Sequence, residues 1–220
     1  MKKFELTAEF VTNIFGKKLF RIKALVAFGD VEKGELGGFI EKEDNLSHSG
    51  NAWVSGNAWV SGNAWVSGNA QVYGNARVYG NAQVSGDARV YGNARVYGDA
   101  QVYGNAQVSG DAWVYGDAWV YGDARVYGNA WVSGNAQVSG DADYAVVTGF
   151  GRYFRATTFF RCKDKILRVQ CGCFYGDLAQ FRKIVKKTHG DSKYAKEYLA
   201  IADLMEFHFS DEEEKQEAAK

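Results

Sequence analysis

The sequence predicts a mainly β protein built around a parallel, triangular β-helix, and three features of one repeated phrase carry that reading. A six-residue unit of Gly, Asn or Asp, Ala, a variable residue, Val, and Tyr or Ser runs without insertion from Gly50 until Tyr144 takes the valine position. Six residues are too few for a helical repeat. Within each unit Ala and Val alternate with larger polar or aromatic residues, the two-residue period of a strand with one buried face. Each unit also holds a Gly-Asn or Gly-Asp pair. Glycine accepts positive φ and the Asn or Asp side chain bonds nearby backbone, so every unit turns a corner. Three such units close an 18-residue coil, and about five coils stack at the usual strand spacing of about 4.8 Å.

Taken in order, residues 1–48 predict an amino-terminal cap. The stretch LFRIKALVAFGDVEKGELGGFIEKEDNLS (19–47) has strand-like apolar spacing broken by Gly-Asp and Gly-Gly, as suits an irregular segment covering the open end of a solenoid core. Residues 49–146 are the solenoid. Residues 147–209 lose the period and predict a small ββαα domain. Its hairpin spans TTFFRC to ILRVQCGCF. The first helix has Asp177 as N-cap with Gln180 three residues on, buries Leu178, Phe181, Ile184 and Val185, and stops at Gly190. The second helix starts at Asp191 and presents Tyr194, Tyr198, Ile201, Ala202 and Met205. From residue 210 to 220 the charged tail has no apolar anchor.

The repeated Val, Tyr or Ser, Gly, Asn or Asp, Ala phrase resembles the hexapeptide repeat of left-handed β-helices, and more closely the YdcK-type β-solenoid repeat, over residues 50–142. That resemblance implies the left hand of the coil. The leader and the carboxy-terminal module, with TTFF, CGCF and THGD as landmarks, resemble segments of uncharacterised phage and mobile-element proteins, which implies a setting but no activity. Acyltransferases and carbonic anhydrases of the left-handed β-helix type place histidines at coil edges. This repeat holds no histidine and no inserted loop, and His48 stands at its threshold. The expectation is therefore a protein without fold-typical catalysis, and with no metal or cofactor.

Bulk composition narrows the partners. Formal net charge is zero over 220 residues, so the whole chain is no polyelectrolyte for nucleic acid or membrane. The first residues, MKKFELTAEF, lack an apolar signal core, and no apolar run approaches a membrane span. The expected location is cytoplasmic. Three cysteines are an odd number and predict reduced thiols.

An Ala/Val interior leaves no room for a ligand, so function belongs outside. An 18-residue coil stacks the variable positions into three columns: Trp53, Gln71, Arg89, Gln107, Arg125; Trp59, Arg77, Arg95, Trp113, Trp131; and Trp65, Gln83, Gln101, Trp119, Gln137. The second column, with Tyr79, Tyr97 and Tyr115 beside it, combines indoles, phenols and two arginines, a set that stacks on bases or sugars and pairs with phosphate. The sequence leaves three uses open: ladders that steady the solenoid, an oligomer interface, or recognition of a ligand. In the carboxy-terminal region Arg182, Lys183, Lys186 and Lys187 crowd one side of the first helix as a secondary basic patch. Cys171, Cys173 and His189 offer a metal or nucleophile set. Strand parity instead puts both cysteines on the apolar face with Leu167 and Val169.

The reading is a non-enzymatic interaction protein. Its partner is a protein or a second copy of itself, and the resemblances suggest phage counter-defence or host-factor binding. The alternatives are a nucleotide-binding or nucleotide-sequestering protein and an enzyme using Cys171, Cys173 and His189.

Overall fold

The computed structural model describes residues 2–13 and 16–210. The chain divides after Asp141 into two compact units. In the first, the repeat forms fifteen two-residue strands among the described residues, β4 (Trp53–Val54) through β18 (Gln137–Val138), one in every six-residue unit. They stand in three parallel columns of five. Each strand pairs with the one three repeat units on, as in Trp59↔Arg77↔Arg95↔Trp113↔Trp131, so the three columns read from the sequence are the observed register.

All the repeat Ala and Val residues from Ala52 to Val138 are buried to 1 % exposure or less, which makes a thin, filled core. The corners hold because glycine is needed there twice over. At Gly80 φ is +75°, and a Cβ would lie 2.9 Å from the backbone nitrogen of Gly98 one coil on. The backbone ladder continues through the corner, with Asn81 N donating to Gly98 O at 2.8 Å, in line with Arg77 N to Ala94 O at 2.9 Å. Corner side chains form a second ladder. Asn81 Nδ2 donates to Asp99 Oδ1 at 2.8 Å and Asn93 Nδ2 to Asp111 Oδ1 at 3.0 Å.

A solenoid end exposes the carbonyls that the next coil would have covered, and the cap supplies donors to them. Strands β1 (Phe4–Thr12), β2 (Lys18–Ala24) and β3 (Leu36–Ile40) pair antiparallel, and β3 lies parallel on Trp59–Val60. Leu46 bridges to Val66, so the cap begins a further turn and the whole solenoid has about six. Phe39 N and Glu41 N donate to Ala58 O and Val60 O, both at 3.0 Å. Elsewhere side chains take over. Asn45 Nδ2 donates to Gly62 O at 3.1 Å and Ala64 O at 2.8 Å, and Lys3 Nζ to Gly50 O at 3.2 Å and Ala52 O at 2.8 Å. Lys3 also lies 4.6 Å from the Phe28 ring centroid, and desolvation pushes its ammonium down to about 8. The same cap corrects one expectation. Trp53, in an outward position, is only 4 % exposed because Phe28 packs edge-on against it at 5.4 Å.

The second unit is richer in strand than ββαα. Strands β19 (Tyr144–Val147), β20 (Thr157–Arg161), β21 (Leu167–Cys171) and β22 (Phe174–Asp177) make one antiparallel sheet in that order. Tyr144–Val147, read from sequence largely as the end of the repeat, instead pairs with Thr157–Phe160. Helix α1 (Leu178–His189) carries the expected capping box, with Asp177 Oδ1 accepting from Gln180 N at 2.7 Å. Helix α2 (Lys193–Phe209) starts two residues later than expected, from the Ser192 cap. Phe159, Val169, Phe181, Val185, Tyr198, Ala202 and Met205 form the core. Ile184 and Tyr194 are each 37 % exposed and outside it. Phe181 and Val185 form the ridge facing the core, and Ala195 takes the inward place in the first turn of α2. Beyond Ser210 the charged tail lies outside the described residues.

Two outcomes test this architecture. Deleting one whole coil, Gly86–Tyr103, leaves a shorter folded solenoid, whereas deleting one six-residue unit shifts every later column by one face and lowers the melting temperature sharply, as circular dichroism will show. Asn45→Ala removes a fully buried amide that serves two carbonyls and costs about 2–4 kcal/mol in urea denaturation.

Candidate binding face of the solenoid

The second column runs through β5 (Trp59–Val60), β8 (Arg77–Val78), β11 (Arg95–Val96), β14 (Trp113–Val114) and β17 (Trp131–Val132). Because residues in register sit one strand spacing apart, their planar side chains are forced into a stack. The Arg21 guanidinium lies 4.7 Å from the Phe39 ring centroid, and Phe39 is in register with Trp59. The Arg77 guanidinium lies 4.6 Å from Trp59 and that of Arg95 4.8 Å from Trp113. Trp113 and Trp131 stack at 5.0 Å and 9°. Beside them Tyr79, Tyr97 and Tyr115 stack at 4.8 and 5.0 Å, and Tyr97 meets the Trp113 edge at 6.2 Å. The structure thus brings all seven sequence-predicted face residues together. Burial pushes the Tyr97 phenol up to about 12, with the neighbouring tyrosines adding to the effect, and raises that of Tyr79.

Arg77 and Arg95 lack the ion pairs that hold several arginines outside the repeat. Arg21 pairs with Glu9 at 2.9 Å, Arg168 with Asp164 at 2.7 Å and Arg182 with Asp203 and Glu206 at 2.7 Å each. Among the described residues no carboxylate forms an ion pair with Arg77 or Arg95, although the register stacks the two like charges in adjacent coils. Each guanidinium carbon lies over one indole ring, and a guanidinium in such a contact keeps N–H donors for a further partner.

Two grooves flank the column. The larger, about 460 Å³, is lined by Arg77, Arg95, Trp113 and Trp131 with the corner residues Asn75, Asn93, Asp111 and Asn129. The smaller, about 290 Å³, lies on the tyrosine side between Trp59, Arg77, Tyr79 and the cap residues Lys17 and Glu41. Burial would raise the Glu41 carboxyl, but hydrogen bonds from Lys17 at 2.8 Å and Gly62 N at 2.7 Å hold it low. Sequence reasoning did not single out the corner residues, whose 18-residue spacing was a usable signal. Lys17 and Glu41 carried none.

In the second unit the basic patch needs correction. Arg182 is tied to Asp203 and Glu206, which α2 turns toward α1, so the exposed cations of α1 are Lys183, Lys186 and Lys187. Strand parity holds for Cys171, whose Sγ accepts from Thr157 Oγ1 at 3.2 Å. It fails for Cys173, which is exposed because β21 ends at Cys171. His189 packs against Tyr198 at 5.8 Å, and all three line a pocket of about 210 Å³ with Arg152 and Arg155. Among the described residues no group of three His, Cys, Asp or Glu is placed to hold a metal ion.

Comparison with known families rests on the repeat. The YdcK Beta solenoid repeat matches residues 52–68, 70–86, 82–98, 88–104, 100–116, 106–122, 118–134 and 124–140. Residues 52–140 are YdcK β-solenoid repeats. No curated protein matches the chain. Beyond the YdcK repeats the family match is silent on the cap and the carboxy-terminal unit. No helix among the described residues is long and apolar enough to cross a membrane.

The tyrosine stack sets an alkaline limit on the YdcK solenoid. A phenol raised in the folded state adds stability fully below the unfolded value near 10, and that stability is lost as pH climbs toward about 12. Melting temperature therefore falls from about pH 10 upward. Tyr97→Ser, which installs a residue the same position holds elsewhere in the repeat, flattens that fall.

Proposed function

We propose that the protein is a non-enzymatic binding protein that uses the second face of its solenoid to engage a partner bearing negative charge. One observation carries the reading: the Arg77–Arg95 pair is stacked in register with no carboxylate ion pair among the described residues, between indoles and beside open grooves. Like charges one strand spacing apart repel, and such an arrangement is favourable once an anion bridges the two guanidinium edges. The indoles hold the two guanidinium groups in place, so little side-chain freedom is lost on binding. The phage-like resemblance of the flanking segments is consistent with a protein that captures a host factor.

A second copy of the chain is a second reading, favoured by the corner ladder. Asp99 and Asp117 stand one coil apart in the repeat, so their carboxylates recur at the same spacing as the two arginines.

The experiment compares the parent with Arg77→Gln/Arg95→Gln, since Gln already occupies this position at 71, 83, 101, 107 and 137. Affinity for captured partner falls by about 2 kcal/mol or more, with circular dichroism unchanged. Light scattering on the same pair reports whether a second copy is the partner. Equal capture and equal mass for both proteins would show that this face is not the binding surface.

A further inference from the structure

We infer that the larger groove is a binding site for a nucleoside di- or triphosphate, an inference that rests on the second face being the binding surface. The groove changes character along the solenoid axis. Its first two coils contribute Arg77 and Arg95, and its next two Trp113 and Trp131. Four coils at the usual strand spacing span about 14 Å, the reach of an extended nucleotide with a short phosphate chain. One end is therefore cationic and the other aromatic.

At the cationic end the guanidinium carbons lie 4.6 Å from the Trp59 ring centroid and 4.8 Å from that of Trp113, and a cation–π contact leaves guanidinium N–H donors for a ligand. Two planar forks in adjacent coils suit two successive phosphates, each taking in-plane hydrogen bonds. The corner amide of Asn93 has one N–H committed to Asp111 at 3.0 Å and a second N–H on the same nitrogen, adding a neutral donor beside the forks.

At the aromatic end Trp113 has both faces covered, by Arg95 and by Trp131 at 5.0 Å, so a base is met along the indole edges rather than sandwiched. Asp111, two residues before Trp113 in the same repeat unit, lines the groove next to Asn93 of the Arg95 coil. A carboxylate there repels a ligand that is anionic throughout, and accepts from a ribose hydroxyl or a base N–H. This asymmetry separates the candidates. Inorganic phosphate uses the arginines alone, and an acidic peptide meets repulsion at Asp111. A nucleic-acid strand needs positive charge beyond two coils, whereas Trp59 and Trp113 bound the arginine pair on either side. A single nucleotide with two or three phosphates matches both halves.

Tryptophan fluorescence and calorimetric titration at low salt test this with adenosine and guanosine triphosphate, tripolyphosphate and adenosine as probes. The triphosphates saturate the parent, tripolyphosphate binds at least about tenfold more weakly, and adenosine does not saturate. Arg77→Gln/Arg95→Gln weakens the triphosphates by about tenfold or more, and Asp111→Asn narrows the gap between nucleotide and tripolyphosphate. Absence of triphosphate binding, equal binding by the arginine variant, or equal affinity for tripolyphosphate would overturn the inference. If partner capture depends on the arginines while the nucleotides do not bind, the face stands and the ligand class is wrong. If neither depends on them, both readings fall.

Discussion

The whole solenoid follows from one constraint: every residue of the repeat lies directly on its counterpart one coil away, at strand spacing. The backbone satisfies this through a ladder of bonds such as Tyr79 N to Val96 O at 3.0 Å. Glycine corners make it sterically possible, since a Cβ at Gly86 would sit 2.9 Å from Gly104 N. Once that register exists, side chains have no choice of neighbour. Valine falls on valine, tyrosine on tyrosine or serine, and amides on amides or carboxylates. Arg77 falls on Arg95, an arrangement that a freely folding surface would avoid and that the repeat imposes.

Imposed stacking explains why the aromatic residues share faces with the arginines. A guanidinium held over an indole is favourable by about 0.5–2 kcal/mol, which offsets part of the repulsion between Arg77 and Arg95. The stack is therefore both a structural ladder and the device that holds two cations one coil apart. The termini of such an array are its weak points, because a directional ladder leaves carbonyls unsatisfied at its amino-terminal end and N–H groups at the other. At the amino-terminal end Lys3 and Asn45 stand in for backbone N–H groups, each reaching two carbonyls.

What was legible in the sequence tracks this periodicity. The three columns, the Ala/Val core and the assembly of Arg77, Arg95, Trp113 and Trp131 on one face follow from a period that admits one register. Outside the period, legibility depended on local signals. The Asp177 capping box spans four consecutive residues and was readable. The burial of Trp53 was not, because the covering Phe28 comes from an irregular segment whose path no spacing encodes. The pairing of Arg182 with Asp203 and Glu206 depends on how α2 packs against α1 and has no sequence signature. Strands β19 and β22 are four residues each, too short for an alternation to stand out.

The most direct test of the account is a proximity measurement on the column itself. With the native cysteines replaced by serine, Arg77→Cys/Arg95→Cys places two thiols at register positions, within the Cα separation of about 4.4–6.8 Å that a disulfide spans. The account predicts rapid, near-complete oxidation of this pair and almost none of Arg77→Cys/Gln101→Cys, whose positions stand in different columns and so on different faces. Equal oxidation of the two pairs, or preference for the second, would contradict the 18-residue register on which the binding face depends.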